Sequence, residues 1–281
     1  MALPTEIGVL GGGTMGAGIA HSFAVSGSRV SLVERNAEAV AAARGRVEAS
    51  VTRASEKFGL DAVEILSRVE FSTDYAAFGA VDLVVEAVPE DLELKAQALT
   101  SVEGHLRASA WLATNTSSLS ITAIADRLKR PERFCGLHFF NPVPSSSLVE
   151  VVLAPKTSAE LAGLASTWVR GLGKTPIVVH DAPGFASSRL GVAIALEAMR
   201  MLEEGVASAE DIDNAMVLGY RHATGPLKTT DLVGLDVRLN IAEYLHANLG
   251  ERFAPPRILR DMVARGELGR KSGKGFFDYS G

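Results

Sequence analysis

Residues 6–16, EIGVLGGGTMG, decide the fold because they join a β-rich apolar run directly to a glycine turn and the start of a helical pattern. The three glycines of the turn have the G-x-G-x-x-G spacing, which permits a tight bend, close approach of a pyrophosphate and close helix packing. The unpaired N–H groups at the start of the following helix attract the same anion. The residues predicted to meet a dinucleotide cofactor here are Gly11, Gly13, Thr14, Met15 and Gly16.

The second β-rich run ends at Glu34, 18 residues after Gly16, where a carboxylate can accept hydrogen bonds from an adenosine ribose. Arg35 could instead receive the 2′-phosphate of NADP, but Glu34 would repel that phosphate. The charge argument therefore favours NAD and leaves NADP as the alternative. Without a cofactor, the same residues would be only a glycine-rich turn beside a solvated acid.

Short β-rich runs alternate with helical patterns through the first half of the chain, which is typical of parallel strands joined by crossover helices. An alanine-rich, charged stretch at 37–58 predicts a long helix. Pro and Gly interrupt the chain at 181–184, and only helical patterns follow. We expect a Rossmann-type, mostly parallel sheet domain at 1–182 and an all-α domain at 183–281. The predicted strands are 6–11, 29–34, 68–73, 81–88, 110–115, 134–139, 148–154 and 175–180.

Composition excludes several classes of protein. The formal net charge is −5 and no basic run is present, which argues against nucleic acid and anionic membranes as partners. No apolar run reaches the roughly 18 residues that a membrane-spanning helix needs. The single cysteine, Cys135, has no disulfide partner in the chain and indicates a reducing compartment, so we expect a cytoplasmic protein. No metal site is predicted.

Two polar segments, 115–118 and 136–144, follow the fifth and sixth predicted strands, at the sheet edge where open α/β sheets bind ligands. His138 in the second segment has a base close to neutral pH and could take a proton from an alcohol. Glu150 lies 12 residues later, on a run that could fold back and orient the imidazole through its second nitrogen. Taken alone, such a histidine is more often packed or exposed than catalytic.

Six separated motifs resemble those of the L-3-hydroxyacyl-CoA dehydrogenase family in order and spacing, and they cover essentially the whole chain. They are NTSSLSITAIA (115–125), GLHFFNPVP (136–144), LVEVV (148–152), DAPGF (181–185), GPLKTTDLVGLD (225–236) and GRKSGKGFFDY (269–279).

The resemblance implies a catalytic base at His138, its carboxylate partner at Glu150, and a serine at Ser117 that contacts both the substrate 3-oxygen and the cofactor. It also implies NAD contacts at Glu90, Lys95 and Asn115, and substrate contacts at Ser117, Asn141, Ser188, Ser50 and Lys57.

Two of these matches are incomplete. Ser50 and Lys57 keep the spacing of a serine and a lysine that touch CoA, but such pairs are common on polar helices. At Ser188 the family usually has an asparagine. Serine reaches less far and lacks the paired donor and acceptor of the amide, which puts substrate identity in doubt.

The resemblance implies NAD-dependent, reversible oxidation of a short-chain (S)-3-hydroxyacyl-CoA, such as 3-hydroxybutyryl-CoA, in fatty-acid and butanoate metabolism. It also implies a homodimer formed by the helical domain. Three alternatives stay open: a related dehydrogenase acting on a carrier-protein thioester, a β-hydroxyacid dehydrogenase that uses a lysine as base, and a crystallin-like protein that binds NAD without turnover.

Overall fold

A computed structural model describes residues 3–280. The chain forms two compact units, Met1–Ala182 and Pro183–Gly281.

The first unit is built on one eight-stranded sheet in the order β3-β2-β1-β4-β5-β6-β7-β8. Neighbours from β3 to β6 pair in parallel, β6 and β7 pair antiparallel, and β7 and β8 pair in parallel. The strand order reverses between β1 and β4, which is where doubly wound sheets bind their ligands. The strands are β1 (Glu6–Leu10), β2 (Arg29–Val33), β3 (Val69–Ser72), β4 (Leu83–Glu86), β5 (Trp111–Thr114), β6 (Phe134–Phe139), β7 (Leu148–Leu153) and β8 (Thr175–His180).

Six helices accompany this sheet. The longest is the predicted one at 37–58; it begins because the Asn36 side chain accepts a hydrogen bond from the N–H of Ala39, and it ends at Gly59, whose φ is 68°. The six helices are α1 (Thr14–Val25), α2 (Ala37–Phe58), α3 (Ala62–Ser67), α4 (Leu92–Glu103), α5 (Ile121–Ala125) and α6 (Ala159–Gly171).

The core of the first unit lies between the central strands and the helices. Fully buried aliphatic side chains such as Ile7, Val9 and Val85 pack with Ile19 and Phe23 of α1. Burying each such side chain contributes about 1.5–3 kcal/mol to folding. The core holds the carboxyl ends of the strands in fixed positions. Cys135 on β6 is fully buried, and burial raises the pKa of its thiol to about 12.

The second unit is helical and has its own apolar core, which includes Leu196, Leu227 and Leu245. Ser208 begins one helix by accepting from the N–H of Asp211, and Pro226 occupies the first turn of the next. The helices are α7 (Ser187–Glu203), α8 (Ala209–Tyr220), α9 (Pro226–Val233), α10 (Leu235–Leu249) and α11 (Arg257–Ala264).

The C-terminal segment GRKSGKGFFDY is held by the buried carboxylate of Asp231, which accepts from the N–H groups of Phe276 and Phe277, each at 2.9 Å. A Cβ at Gly275 would lie 2.0 Å from Oδ1 of Asp231, so only glycine fits there. The C-terminal segment is therefore fixed against Asp231 within the second unit.

The predicted fold class is confirmed, and all eight predicted strands are present. The strand predicted at 81–88 is shorter, Leu83–Glu86, because the chain leaves the sheet before Pro89. No helix within residues 3–280 is long and apolar enough to cross a membrane.

Candidate active site

A buried acid–base pair of the first unit is formed by His138 on β6 and Glu150 on β7. The two residues lie directly opposite each other in the antiparallel ladder. Nδ1 of His138 lies 2.6 Å from Oε2 of Glu150, whose side chain is fully buried. The strand after His138 thus folds back as the sequence predicts, and the carboxylate fixes the imidazole and favours a proton on Nδ1. The ring of Phe140 packs against the imidazole, with ring centroids 4.3 Å apart.

Asn115 fixes the end of the histidine strand. Its Oδ1 accepts from the N–H of Phe139 at 2.9 Å, and its own N–H donates to the carbonyl of Glu86. Asn115 therefore connects the carboxyl ends of β4, β5 and β6, where open sheets bind ligands.

Glu90 organises the segment after β5. One carboxylate oxygen, Oε1, accepts from the hydroxyl of Thr116 at 2.6 Å, the N–H of Ser117 at 2.8 Å and the hydroxyl of Ser117 at 3.0 Å. Burial alone would raise the pKa of Glu90, but Lys95 and these hydrogen bonds outweigh burial and lower it. Glu90 is therefore an anion that holds Ser117 in place.

Lys95 lies behind Glu90 and is buried, as is Glu86, whereas the Glu90 side chain is 39% exposed. Its Nζ donates to Oε1 of Glu86 at 2.8 Å and to the carbonyl of Val88 at 2.9 Å, and lies 3.3 Å from Oε2 of Glu90. These three protein acceptors match the three N–H bonds of an ammonium group. Lys95 thus positions Glu90. Glu86 is not among the residues predicted from the sequence, although an acid at the end of an apolar strand and nine residues before a lysine signals such a pair.

The glycine turn fits a dinucleotide pyrophosphate. Gly11 has a φ of 93°, and a Cβ at Gly16 would lie 1.8 Å from the carbonyl oxygen of Gly11. A Cβ at Gly13 would meet nothing within 4 Å, so the space in front of the turn is open. No side chain caps α1, which leaves the N–H groups of Thr14 and Met15 able to receive an anion.

Glu34 lies against this turn. Its Oε1 accepts from the N–H of Gly12 at 2.7 Å, and its Oε2 accepts from the N–H of Arg35 at 3.1 Å. A carboxylate in this place suits the diol of an adenosine ribose and disfavours a 2′-phosphate.

A groove of about 550 Å³ runs between α1, α2 and residues 141–144. Asn141 and Ser50 line it, and the Ser50 hydroxyl lies 2.9 Å from Nδ1 of His21. Arg46 and Arg53 also line it, and none of the lining residues is acidic. Neither arginine is among the residues predicted from the sequence, although the i, i+4, i+7 spacing of Arg46, Ser50 and Arg53 places them on one helix face.

Two candidates lie elsewhere. Lys57 does not line the groove; it is an exposed residue in the last turn of α2, with its ammonium 5.1 Å from the ring centre of Phe58. Ser188 lies in the first turn of α7 in the second unit, whereas the other candidates belong to the first unit. Among residues 3–280, no cluster of three His, Cys, Asp or Glu side chains could hold a metal ion.

Comparison with known proteins gives a consistent result along the chain. Residues 6–182 match the family model described as 3-hydroxyacyl-CoA dehydrogenase, NAD binding domain, and residues 184–279 match that of the C-terminal domain of the same family.

Individual relatives match over nearly their full length. A probable 3-hydroxybutyryl-CoA dehydrogenase from Deinococcus radiodurans is 43% identical over 98% of this chain and 100% of its own. The human mitochondrial hydroxyacyl-coenzyme A dehydrogenase is 40% identical over 98% of this chain and 91% of its own. The crystal structure of (S)-3-hydroxybutyryl-CoA dehydrogenase from Ralstonia eutropha superimposes with a TM-score of 0.94 at 39% identity, covering 99% and 100% of the two chains.

Proposed function

The chain belongs to the 3-hydroxyacyl-CoA dehydrogenase family, and on that premise we propose that it reversibly oxidises the 3-hydroxyl of (S)-3-hydroxyacyl-CoA, with NAD as cofactor. The names of its relatives favour a short acyl chain such as 3-hydroxybutyryl. The buried pair of His138 and Glu150 carries this proposal, because it supplies an oriented base at the same sheet edge as the glycine turn.

In this reaction His138 is the base. Since Glu150 engages Nδ1, Nε2 takes the proton of the 3-hydroxyl, and the electrons of that O–H bond form the new carbonyl. The C3 hydrogen leaves with its electron pair, and bound NAD supplies the acceptor for this hydride. Glu150 stabilises the resulting imidazolium, as the carboxylate of a serine-protease triad does. In reverse, the imidazolium returns the proton to the oxygen.

Ser117 follows β5, the strand that pairs with the His138 strand β6, and Glu90 fixes its position. The anionic Glu90 holds both the backbone and the hydroxyl of Ser117, which the family resemblance assigns to the substrate 3-oxygen. Lys95 and Glu86 act through Glu90. We assign NAD binding to residues 1–182, which also carry the substrate contacts named here, and we assign dimerisation and the substrate contact of Ser188 to residues 183–281.

Kinetics of the reverse reaction test the assignment. With acetoacetyl-CoA and NADH, we expect His138→Ala to lower kcat by about 10³-fold while NADH still binds, because proton transfer by a positioned side chain contributes about 10²–10⁴-fold. Lys156→Met, which removes an exposed lysine paired with Asp126, is the control. Turnover by His138→Ala close to that of the wild type would refute the mechanism. NADH binding without turnover of any hydroxyacyl thioester by the wild type would instead favour the crystallin-like alternative.

The positive groove supports CoA as the carrier of the acyl group. Arg46 and Arg53 offer two guanidinium groups without a lining carboxylate, which suits the phosphates of a 3′-phospho-ADP handle. Parallel assays with acetoacetyl thioesters of CoA, pantetheine and an acyl carrier protein test this. We expect the highest kcat/KM for CoA; a preference for the carrier-protein thioester would overturn the substrate assignment.

We also propose that the second unit pairs with a copy of itself. Leu190 and Ile194 on α7 and Val237 on α10 are exposed by 64%, 37% and 40%, and contact with a second copy would remove these apolar side chains from water. The neighbouring Arg238 is 6% exposed and has no hydrogen-bond or ion-pair acceptor within residues 3–280. A second copy would cover the apolar residues and supply an acceptor.

We propose a cytoplasmic location, since Cys135 is a free thiol that a reducing compartment would preserve. Fractionation of cells with a thiol-trapping reagent would test it.

A further inference from the structure

Lys174 is a buried lysine that none of the assignments above uses. It lies between α6 and β8 and is 7% exposed. Its Nζ donates to the carbonyls of Val143 and Ser146, each at 2.6 Å, and it forms no ion pair with a carboxylate within the part of the chain that the structure describes. Burying an ammonium group costs free energy of desolvation, and the hydrogen bonds to the two carbonyls offset part of that cost.

Both partners belong to the segment 140–147, which connects β6 to β7 and begins two residues after His138. Eight residues are many for a connection between antiparallel strands, and such a loop needs contacts to hold one conformation. Beside Lys174, the N–H of Thr175 donates to the carbonyl of Ser147 at 2.6 Å. Lys174 and Thr175 together thus fasten the second half of the loop.

The first half of the loop forms a wall of the positive groove. Residues 141–144 line the groove, and Val143 packs so closely on α1 that a Cβ at Gly18 would lie 2.8 Å from it. Val143 therefore forms part of the groove wall, and its carbonyl accepts the hydrogen bond from Lys174.

Lys174 also affects the opposite wall. Burial lowers the pKa of His21, and the charges of Lys174 and Arg53 lower it further, so His21 stays neutral and can hydrogen-bond the Ser50 hydroxyl.

We propose that Lys174 is a positioning residue for the substrate handle: by fixing the loop 140–147, it sets the wall of the groove that receives the phosphate-bearing end of the thioester. The proposal rests on the proposed function, since it takes the groove as the site of the handle. Lys174 does not touch the reacting atoms. Its loss weakens binding of the handle and leaves the proton transfer at His138 intact.

The test compares Lys174→Met with Lys174→Arg, which keeps donors, and with the exposed control Lys156→Met, using acetoacetyl-CoA, acetoacetyl-pantetheine and NADH. We expect Lys174→Met to raise the KM for acetoacetyl-CoA by about tenfold, which is the size of effect expected when a hydrogen bond from a charged group is lost. The kcat, the KM for NADH and the KM for the pantetheine thioester stay within about twofold of the wild type. Lys174→Arg recovers most of the loss. An unchanged KM for acetoacetyl-CoA, or an equal rise for both thioesters, overturns the proposal.

Two further measurements do not depend on turnover. Calorimetry with CoA alone should show about tenfold weaker binding to Lys174→Met than to the wild type. The proposed function is tested separately: failure of the wild type to reduce acetoacetyl-CoA would count against that function and not against the role of Lys174. Hydrogen exchange should show faster exchange in Lys174→Met confined to residues 140–147. Faster exchange throughout the first unit would indicate general unfolding and would contradict a positioning role.

Discussion

One buried cation of each unit shows a difference in surroundings: Lys95 in the first unit and Arg238 in the second. In the first unit, Lys95 is enclosed by Glu86 and Glu90, and His138 is paired with Glu150. In the second unit, Arg238 is nearly as buried but has no acceptor within residues 3–280, and burial lowers the pKa of its guanidinium to about 10. Uncompensated buried charge costs several kcal/mol. Lys95 therefore has its anionic partners within its own unit, whereas Arg238 is suited to meeting an acceptor from another molecule.

Breaking the charge cluster of the first unit should have the largest effect. Lys95→Met leaves Glu86 buried without its cation, and we expect the free energy of unfolding to fall by about 3–5 kcal/mol. Urea denaturation followed by circular dichroism measures it. Lys156→Met, at an exposed ion pair, should change it by less than about 1 kcal/mol. Glu86→Gln combined with Lys95→Met should recover part of the loss, and a double variant no more stable than Lys95→Met would contradict the pairing.

The second pair should matter for catalysis rather than stability. Glu150→Gln keeps the shape of the side chain but removes the charge that stabilises the imidazolium, so we expect kcat to fall by about 10²-fold. The KM values for both substrates should change little. Steady-state kinetics with acetoacetyl-CoA and NADH measure this. A rise in KM without loss of kcat would show that Glu150 acts on binding instead.

Most core substitutions destabilise a protein, but Arg238→Met should increase the stability of the isolated chain. Removing an unpaired buried charge should stabilise the isolated chain, but the proposed pairing with a second copy should weaken by about tenfold in Kd. Analytical ultracentrifugation over a dilution series measures the Kd, with the exposed Arg257→Met as control. A monomeric wild type would refute the pairing, and a variant that dimerises equally well would remove Arg238 from the interface.

The smallest effect concerns the pH dependence of Glu90. Because the pKa of Glu90 is lowered in the folded chain, its contribution to stability is present above pH of about 4.5 and is lost as pH falls through the folded value. Because the Glu90 side chain is 39% exposed, solvent screening keeps this contribution small, and Glu90→Gln should lose about 1–2 °C less in Tm than the wild type between pH 6 and pH 3. Scanning calorimetry measures this, with the exposed Glu204→Gln as control. Parallel curves for all three proteins would contradict the assignment.

Much of the fold could be predicted from sequence, because each feature has a local cause. The turn at Gly11–Gly16, the cap at Asn36 and the break after residue 181 each mark a boundary in the residues themselves. The pairing of His138 with Glu150 could also be anticipated, since the motif spacing suggests a returning strand.

Other residues of the site are harder to predict from the sequence. Lys174 binds two backbone carbonyls, and carbonyl acceptors leave no mark in the sequence. Glu86 looks like an ordinary strand end until Lys95 is seen beside it. The strand predicted at 81–88 is too long because the apolar run continues past Glu86, the last residue of β4.

The position of Cys135 has a practical consequence. Cys135 is the single cysteine of the chain, and it lies on β6 three residues before His138. Its thiol is fully buried. A thiol reagent can reach it only when that strand opens, so the labelling rate under native conditions reports the opening free energy of the catalytic strand. Cys135 is thus a native probe for the opening of β6, and its labelling rate can be measured without introducing another cysteine.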